Sequence, residues 1–289
     1  MGNPTTLPAR TPRNSKSFAK KKAALTLLRI FRKHPDVFQA EDWAPRIVAL
    51  MDEIDLRRVF LVSALPSAPC SLPARGLYQG VAQAVTTLVL AASQQYPDSY
   101  KDCVPKAIEC KRCGHGQPFM CAFHFSKTLN YTFDGQIVID REYSPDYVYY
   151  KVPVPWFQCK LLRLLHYYPP SEDRNLRSWL NEVLKQVIGT TQEMPKNVQH
   201  NNAQNAVLFE AISLAIHLDP ESDIVKEAAV LLGRFIASKE TNIRYLALDA
   251  MARLAAFSES LEPIKKHQET IIQSLRDRDI SVRRRGLDL

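Results

Sequence analysis

Four side chains in one short stretch have the spacing of a metal site. Cys110-Lys-Arg-Cys113 and Cys121-Ala-Phe-His124 read C-x2-C-x7-C-x2-H. Three thiolates and one imidazole at those separations suit tetrahedral zinc. His115 is a competing ligand, and Gly114 and Gly116 ease a knuckle turn. A second candidate is electrostatic. Lys20, Lys21 and Lys22, with Arg29, Arg32 and Lys33, form a basic face that attracts anionic lipid head groups at roughly 1 kcal/mol per residue near a surface. The plain alternative is a solvated helix face. Met1-Gly-Asn-Pro-Thr-Thr6 fits the pattern for N-myristoylation, though Pro4 weighs against it. Arg283-Arg-Arg285 reads as a solvated face beside Asp277, Asp279 and Asp288, not as a nucleic-acid contact. His166, His200, His217 and His267 lie apart in sequence, without carboxylate or thiol partners at catalytic spacing.

The rest of the chain must position these groups, and its composition narrows how. The 289 residues carry a net charge of +8. Residues 1–40 hold nine cations against Asp36 alone, so the remainder is balanced. At 46% hydrophobic and 24% charged the chain is an ordinary globular one. No apolar run reaches the ~18 residues of a membrane span, and the start lacks the apolar core of a secretory signal. Six cysteines are too few for a disulfide scaffold, so reduced thiols are the default. Nine glycines disfavour glycine-dependent folds. GxGxxG, GxxxxGK[ST], GxSxG and HExxH are all missing, which argues against the common enzyme classes.

Apolar periodicity predicts helices. Ala24, Leu27, Leu28 and Phe31 share one face of 22–33, and 205–218 is apolar except at Asn205 and a stripe of Glu210, Ser213 and His217. Segments 226–237, 243–257 and 264–275 continue the pattern. Asp219 before Pro220, Thr241 and Asp279 read as helix starts. Strand signals are confined to about 130–153, and Val152-Pro-Val-Pro-Trp156 turns the chain into the next helix with Trp156 packed inside.

Internal repetition sets the architecture. Asn242-Ile-Arg-Tyr-Leu-Ala-Leu-Asp and Ser281-Val-Arg-Arg-Arg-Gly-Leu-Asp align at a shift of 39 residues, and a related run at Asn205 precedes the first by 37. Periods near 40 mark helical-hairpin solenoids of the HEAT and armadillo kind, whose stacked repeats expose long binding surfaces. His34-Pro-Asp36 and Tyr96-Pro-Asp98 repeat at 62. Removing the proline-rich 57–79, which lacks helical periodicity, restores 39. The expected fold is therefore all-α, a HEAT/armadillo-like α-solenoid over 18–289 with irregular segments at about 57–79 and 110–136. A disordered basic lead is expected over 1–17.

Several runs resemble the α-adaptin family, the large chains of the endocytic clathrin adaptor. They are Lys21-Lys-Ala-Ala-Leu-Thr-Leu-Leu-Arg29, Tyr149-Tyr-Lys-Val-Pro-Val-Pro-Trp156, Lys160-Leu-Leu-Arg-Leu-Leu-His-Tyr-Tyr-Pro-Pro170, Val198-Gln-His-Asn-Asn-Ala-Gln-Asn-Ala-Val-Leu-Phe-Glu-Ala-Ile-Ser-Leu214 and Glu240-Thr-Asn-Ile-Arg-Tyr-Leu-Ala-Leu248. The likeness covers about 18–56, 80–108 and 137–289. It implies a non-catalytic trunk segment without cofactor, acting in clathrin-mediated endocytosis and vesicle transport. Implied partners are a second large chain, a medium chain and a small chain. Clathrin and accessory proteins are met through regions beyond this segment, and phosphoinositide-rich plasma membrane by the whole protein, at coated pits on the cytoplasmic side. No nucleic acid is implied. The family's main phosphoinositide contacts lie upstream of Met1 and do not map onto Lys20, Lys21 and Lys22. The likeness lapses around Cys110–His124, while Lys106-Ala-Ile108 and Ile137-Val-Ile-Asp140 match almost contiguously. That reads as translated intron or mispredicted exon boundaries at both intrusions, and it weakens the zinc assignment. The competing reading is a zinc-containing or nucleic-acid-binding α-solenoid.

Overall fold

A computed structural model describes residues 13–52, 79–108, 147–189, 196–257 and 261–289. The described residues form thirteen α-helices and one two-stranded ribbon. They are α1 (Arg13–Lys33), α2 (Ala40–Ala49), α3 (Gln79–Ser93), α4 (Pro97–Tyr100), α5 (Cys103–Ile108), β1 (Val148–Tyr149), β2 (Val152–Pro153), α6 (Pro155–Leu165) and α7 (Arg174–Gly189). Then follow α8 (Val198–Leu218), α9 (Asp223–Phe235), α10 (Thr241–Leu254), α11 (Leu261–Lys265), α12 (Gln268–Ser274) and α13 (Ile280–Asp288). The chain divides into two compact units near Lys106.

In the first unit α1 packs against α3, burying Ala24, Leu28 and Phe31 opposite an apolar helix whose Val85, Leu88, Val89 and Ala92 are wholly enclosed. The His-Pro-Asp and Tyr-Pro-Asp motifs do the same thing after each of these helices. His34 (φ −140°, ψ 70°) and Tyr96 (φ −129°, ψ 61°) turn the chain, and Pro35 and Pro97 start a short helical turn. Proline suits that first position because its missing N–H has no partner to lose there. Helix α3 begins within a residue of Gly80, where the repeat is expected to resume.

The second unit is a two-layer stack. Helices α6, α8, α10 and α13 each pack against the next, and behind them α7, α9 and α11 do likewise. This is the arrangement expected of helical-hairpin repeats. It explains α8, whose buried residues (Val207, Leu208, Ala211, Ile212, Leu214 and others) surround the axis because neighbours enclose it on several sides. Each large aliphatic side chain so enclosed contributes about 2 kcal/mol.

Several sequence expectations are corrected. Asn205 and Asn242, matched at a shift of 37, are not equivalent in the structure: Asn205 lies eight residues past the α8 cap Asn197, whereas Asn242 lies two past the α10 cap Glu240, and the caps are 43 residues apart. Asp219 closes α8 and its carboxylate accepts the Glu221 N–H, so Pro220 sits in the turn and α9 starts at Asp223. Thr241 is the first residue of its helix, behind the cap Glu240, whereas Asp279 caps α13 as expected and accepts from Ser281 N–H at 2.7 Å. The run 264–275 breaks between α11 and α12 at Lys266-His267. Helix α1 already begins at Arg13, inside the stretch read as a lead. Cys110, Cys113, Cys121 and His124 lie outside the described residues, as do 110–136 and nearly all of 57–79.

Candidate functional site

Three surfaces of the described structure gather charged or aromatic side chains. The longest follows the front layer of the second unit. The predicted polar stripe of α8 lies along it, and each member joins α8 to an adjacent repeat. Glu210 forms an ion pair with Arg163 of α6. Ser213 accepts from Arg253 of α10 at 2.7 Å. His217 donates from Nε2 to the Tyr168 carbonyl (3.1 Å), and its ring stacks on His166, centroids 4.4 Å apart. Arg253 also meets Asp249 (3.1 Å), Asp249 meets Arg285 of α13 (3.2 Å), and Arg285 lies over the Tyr245 ring. Thus a ladder of alternating charge crosses four successive helices.

The environment sets the protonation of these groups. The Glu210 hydrogen bond raises Arg163 further above its usual value, so the guanidinium is permanently charged. Burial, reinforced by the neighbouring His217, lowers His166 below the ordinary imidazole value. Burial also lowers Lys160. Asp277 is held below the usual carboxylate value, first by the Asp279 N–H and then by Arg244. In the first unit, burial pushes the Tyr100 phenol up to about 12, leaving it no acid–base role near neutrality.

The second surface is aromatic. β1 and β2 pair antiparallel, Val148 with Pro153 and Tyr149 with Val152, leaving a two-residue loop. Both loop residues, Tyr150 (φ 43°) and Lys151 (φ 69°), have the positive φ that a tight I′-type turn requires. Val154 (φ 41°) is also left-handed, a strained state for a β-branched residue. Gln158 secures it by donating to the Pro153 carbonyl (2.6 Å). Pro155 then opens α6, as the sequence predicts. Trp156, however, is 55% exposed and does not enter the core. It packs on Tyr149 (4.7 Å between centroids), and the enclosed ring is the next one, Phe157.

The third surface is α1. Lys21 and Lys22 are exposed and Lys20 is half-buried. The Lys22 ammonium lies 5.4 Å from the Phe18 ring centroid.

The cleft beside α7 has lining charges of both signs, Arg174, Arg177 and Lys185 with Glu182 and Asp219. Among the described residues no three His, Cys, Asp or Glu side chains are grouped to hold a metal ion. Among them too, no helix is long and apolar enough to cross a membrane. The two-histidine contact escapes sequence reading because 51 residues separate the partners, and only the repeat step brings them together.

The family model described as "Adaptin N terminal region" matches residues 11–289. The chain is 38% identical over 270 residues to the AP-2 complex subunit alpha-1 of Arabidopsis thaliana, covering 93% of this chain and 22% of that one. It is 36% identical over 277 residues to the AP-2 complex subunit alpha-2 of Dictyostelium discoideum, covering 95% and 23%. It is 32% identical over 276 residues to the AP-2 complex subunit alpha of Schizosaccharomyces pombe, covering 96% and 26%. The chain spans about a quarter of the length of these curated relatives.

Proposed function

Because the chain belongs to the adaptin N-terminal region family, we propose that it is a scaffold segment of a clathrin adaptor coat, acting in endocytosis and vesicle-mediated transport. The carrying observation is the stack of α6, α8, α10 and α13 over α7, α9 and α11, in a chain this similar to AP-2 alpha subunits. Such a stack works by binding: apolar faces build the layers, and the polar ladder and loops remain for other adaptor chains. Clathrin contact, phosphoinositide recognition and residence at coated pits on the plasma membrane belong to this proposal for the whole protein. A catalytic role is no part of it.

Affinity purification of the tagged protein from its own cells tests the reading. Recovery of a second large, a medium and a small adaptor chain in near-equal amounts is the expected result. Recovery of the intact protein without any adaptor chain overturns it. Imaging the same tagged protein against clathrin at the cell surface tests the location separately.

A further inference from the structure

We propose that the aromatic ribbon β1–β2, with the exposed indole at the start of α6, is a docking platform. Its occupant is a proline-rich segment in the polyproline II conformation, with an acidic residue beside its prolines. The ribbon lies within the second unit, and this use of it does not depend on the coat reading.

Three rings make the platform. Tyr149 stands in the middle, with 4.7 Å between centroids to Tyr150 and 4.7 Å to Trp156, the planes inclined at 77° and 63°. Rings set edge to face do not stack flat, so they present angled faces with notches between them. Tyr150 is 49% exposed, and Trp156 more than half. The middle ring is anchored, because its phenol donates to Gln199 Oε1 of α8 at 3.3 Å. A platform fixed before binding loses little entropy when it is occupied.

Backbone strain argues that these side chains serve something outside the ribbon. A two-residue turn of this type favours Asn-Gly, which tolerates positive φ. Here the turn holds Tyr150 and Lys151 at φ 43° and 69°, and Val154 repeats the strain at 41°. Asparagine or glycine at position 150 would relieve it. The chain instead places a large ring there and leaves an indole in water beside it. Strain of this kind gathers at sites that bind.

The free polar groups identify the partner. Among the described residues neither the Trp156 indole N–H nor the Tyr150 phenol has a hydrogen-bond partner, so two donors stand beside apolar ring faces. A helix, or a strand within a sheet, has most of its carbonyls already bonded. A polyproline II segment leaves its carbonyls free, brings few N–H groups that need an acceptor, and seats its apolar rings between aromatic walls. Lys151 is the only charged residue in 147–159, and among the described residues it has no ion pair. A carboxylate on the partner complements it.

Fluorescence anisotropy of the full chain with a labelled oligoproline peptide ending in two aspartates tests this. Saturable binding is expected, with none to a glycine–serine peptide ending in the same two aspartates. W156A and Y150A each lose about tenfold or more, as truncated aromatic anchors do. K151A weakens binding of the acidic peptide and leaves that of plain oligoproline unchanged. Y150N relieves the positive φ, so its loss of binding comes without loss of stability. Circular dichroism matching the wild type establishes that each variant is folded. Equal binding of the glycine–serine peptide, or wild-type affinity in folded W156A or Y150N, overturns the proposal. So does self-association of the chain in ultracentrifugation that W156A abolishes, without peptide binding, since the occupant is then a second copy.

Discussion

Arg244 and Arg283, 39 residues apart, make the same pair of hydrogen bonds in successive repeats. Each donates from Nη1 to the carbonyls six and five positions before it: Ser238 and Lys239 for Arg244 (3.1 and 2.9 Å), Asp277 and Arg278 for Arg283 (2.7 and 3.1 Å). The preceding turns match as well. Ser238 Oγ accepts the Glu240 N–H and Asp277 Oδ1 accepts the Asp279 N–H. Ile243 and Val282, one residue before each arginine, are both buried. The repeated pattern of an aliphatic residue and arginine is thus a device that anchors the core and ties the inter-helix turn.

Arg244 does more than its counterpart, because its Nε also donates to Asp277 of the next repeat at 2.8 Å. Both side chains of that pair are largely enclosed, at 18% and 11% exposure. Hydrogen bonds to charged groups are worth about 1.5–3 kcal/mol, so R244A should cost about 2–3 kcal/mol and R283A about 1 kcal/mol. Urea unfolding of the two variants checks the ordering. A double-mutant cycle with D277N should return a coupling of roughly 1 kcal/mol or more for Arg244 and near zero for a distant arginine such as Arg163.

How much of this is legible in the sequence follows from range. The 39-residue shift between Asn242 and Ser281 is legible because the same local bonds recur, and so is the helix behind each apolar period. The cap at Asp279 is visible too, since it acts within two residues. Glu210, Ser213 and His217 are readable as a stripe, but their partners Arg163, Arg253 and His166 are fixed only by how repeats stack. Trp156 misleads for a different reason. Size and hydrophobicity point inward, but Val154 in the left-handed region rotates the start of α6 so that Phe157 takes the interior position.

Gly233 of α9 marks a close approach in the rear layer. A methyl group placed on it would land on the His267 ring, at the junction of α11 and α12. G233A should therefore destabilise by about 1–3 kcal/mol through overpacking, despite alanine's better helix propensity. In an H267A background the ring is gone, and the same change should be neutral or stabilising by up to about 1 kcal/mol. Thermal melts of the four proteins provide the comparison.

The His166–His217 stack makes stability depend on pH. Burial lowers His166 in the folded state, with the His217 charge adding to it. The unfolded chain then binds the proton more readily than the folded one. Stability is whole above the unfolded value near 6.5 and is lost as pH falls from there through the lowered folded value. An imidazole NMR titration should place His166 below a free histidine. H217A should move it part of the way back, because burial remains.

Trp156 and Phe157 are adjacent aromatic residues with opposite surroundings, and truncating each separates surface from core. Phe157 is 0% exposed, within the α6 packing that supports the whole front layer. Removing a buried phenylalanine leaves a cavity, so F157A should cost about 3–5 kcal/mol. Trp156 is more than half exposed and loses chiefly its edge-on contact with Tyr149. Such pairs are worth about 0.5–1.5 kcal/mol, which bounds the effect of W156A. If W156A instead costs as much as F157A in urea unfolding, the indole is buried and the left-handed Val154 does not set the register of α6. If W156A is mild in stability yet weakens recovery of adaptor chains, the exposed indole lies at a partner contact.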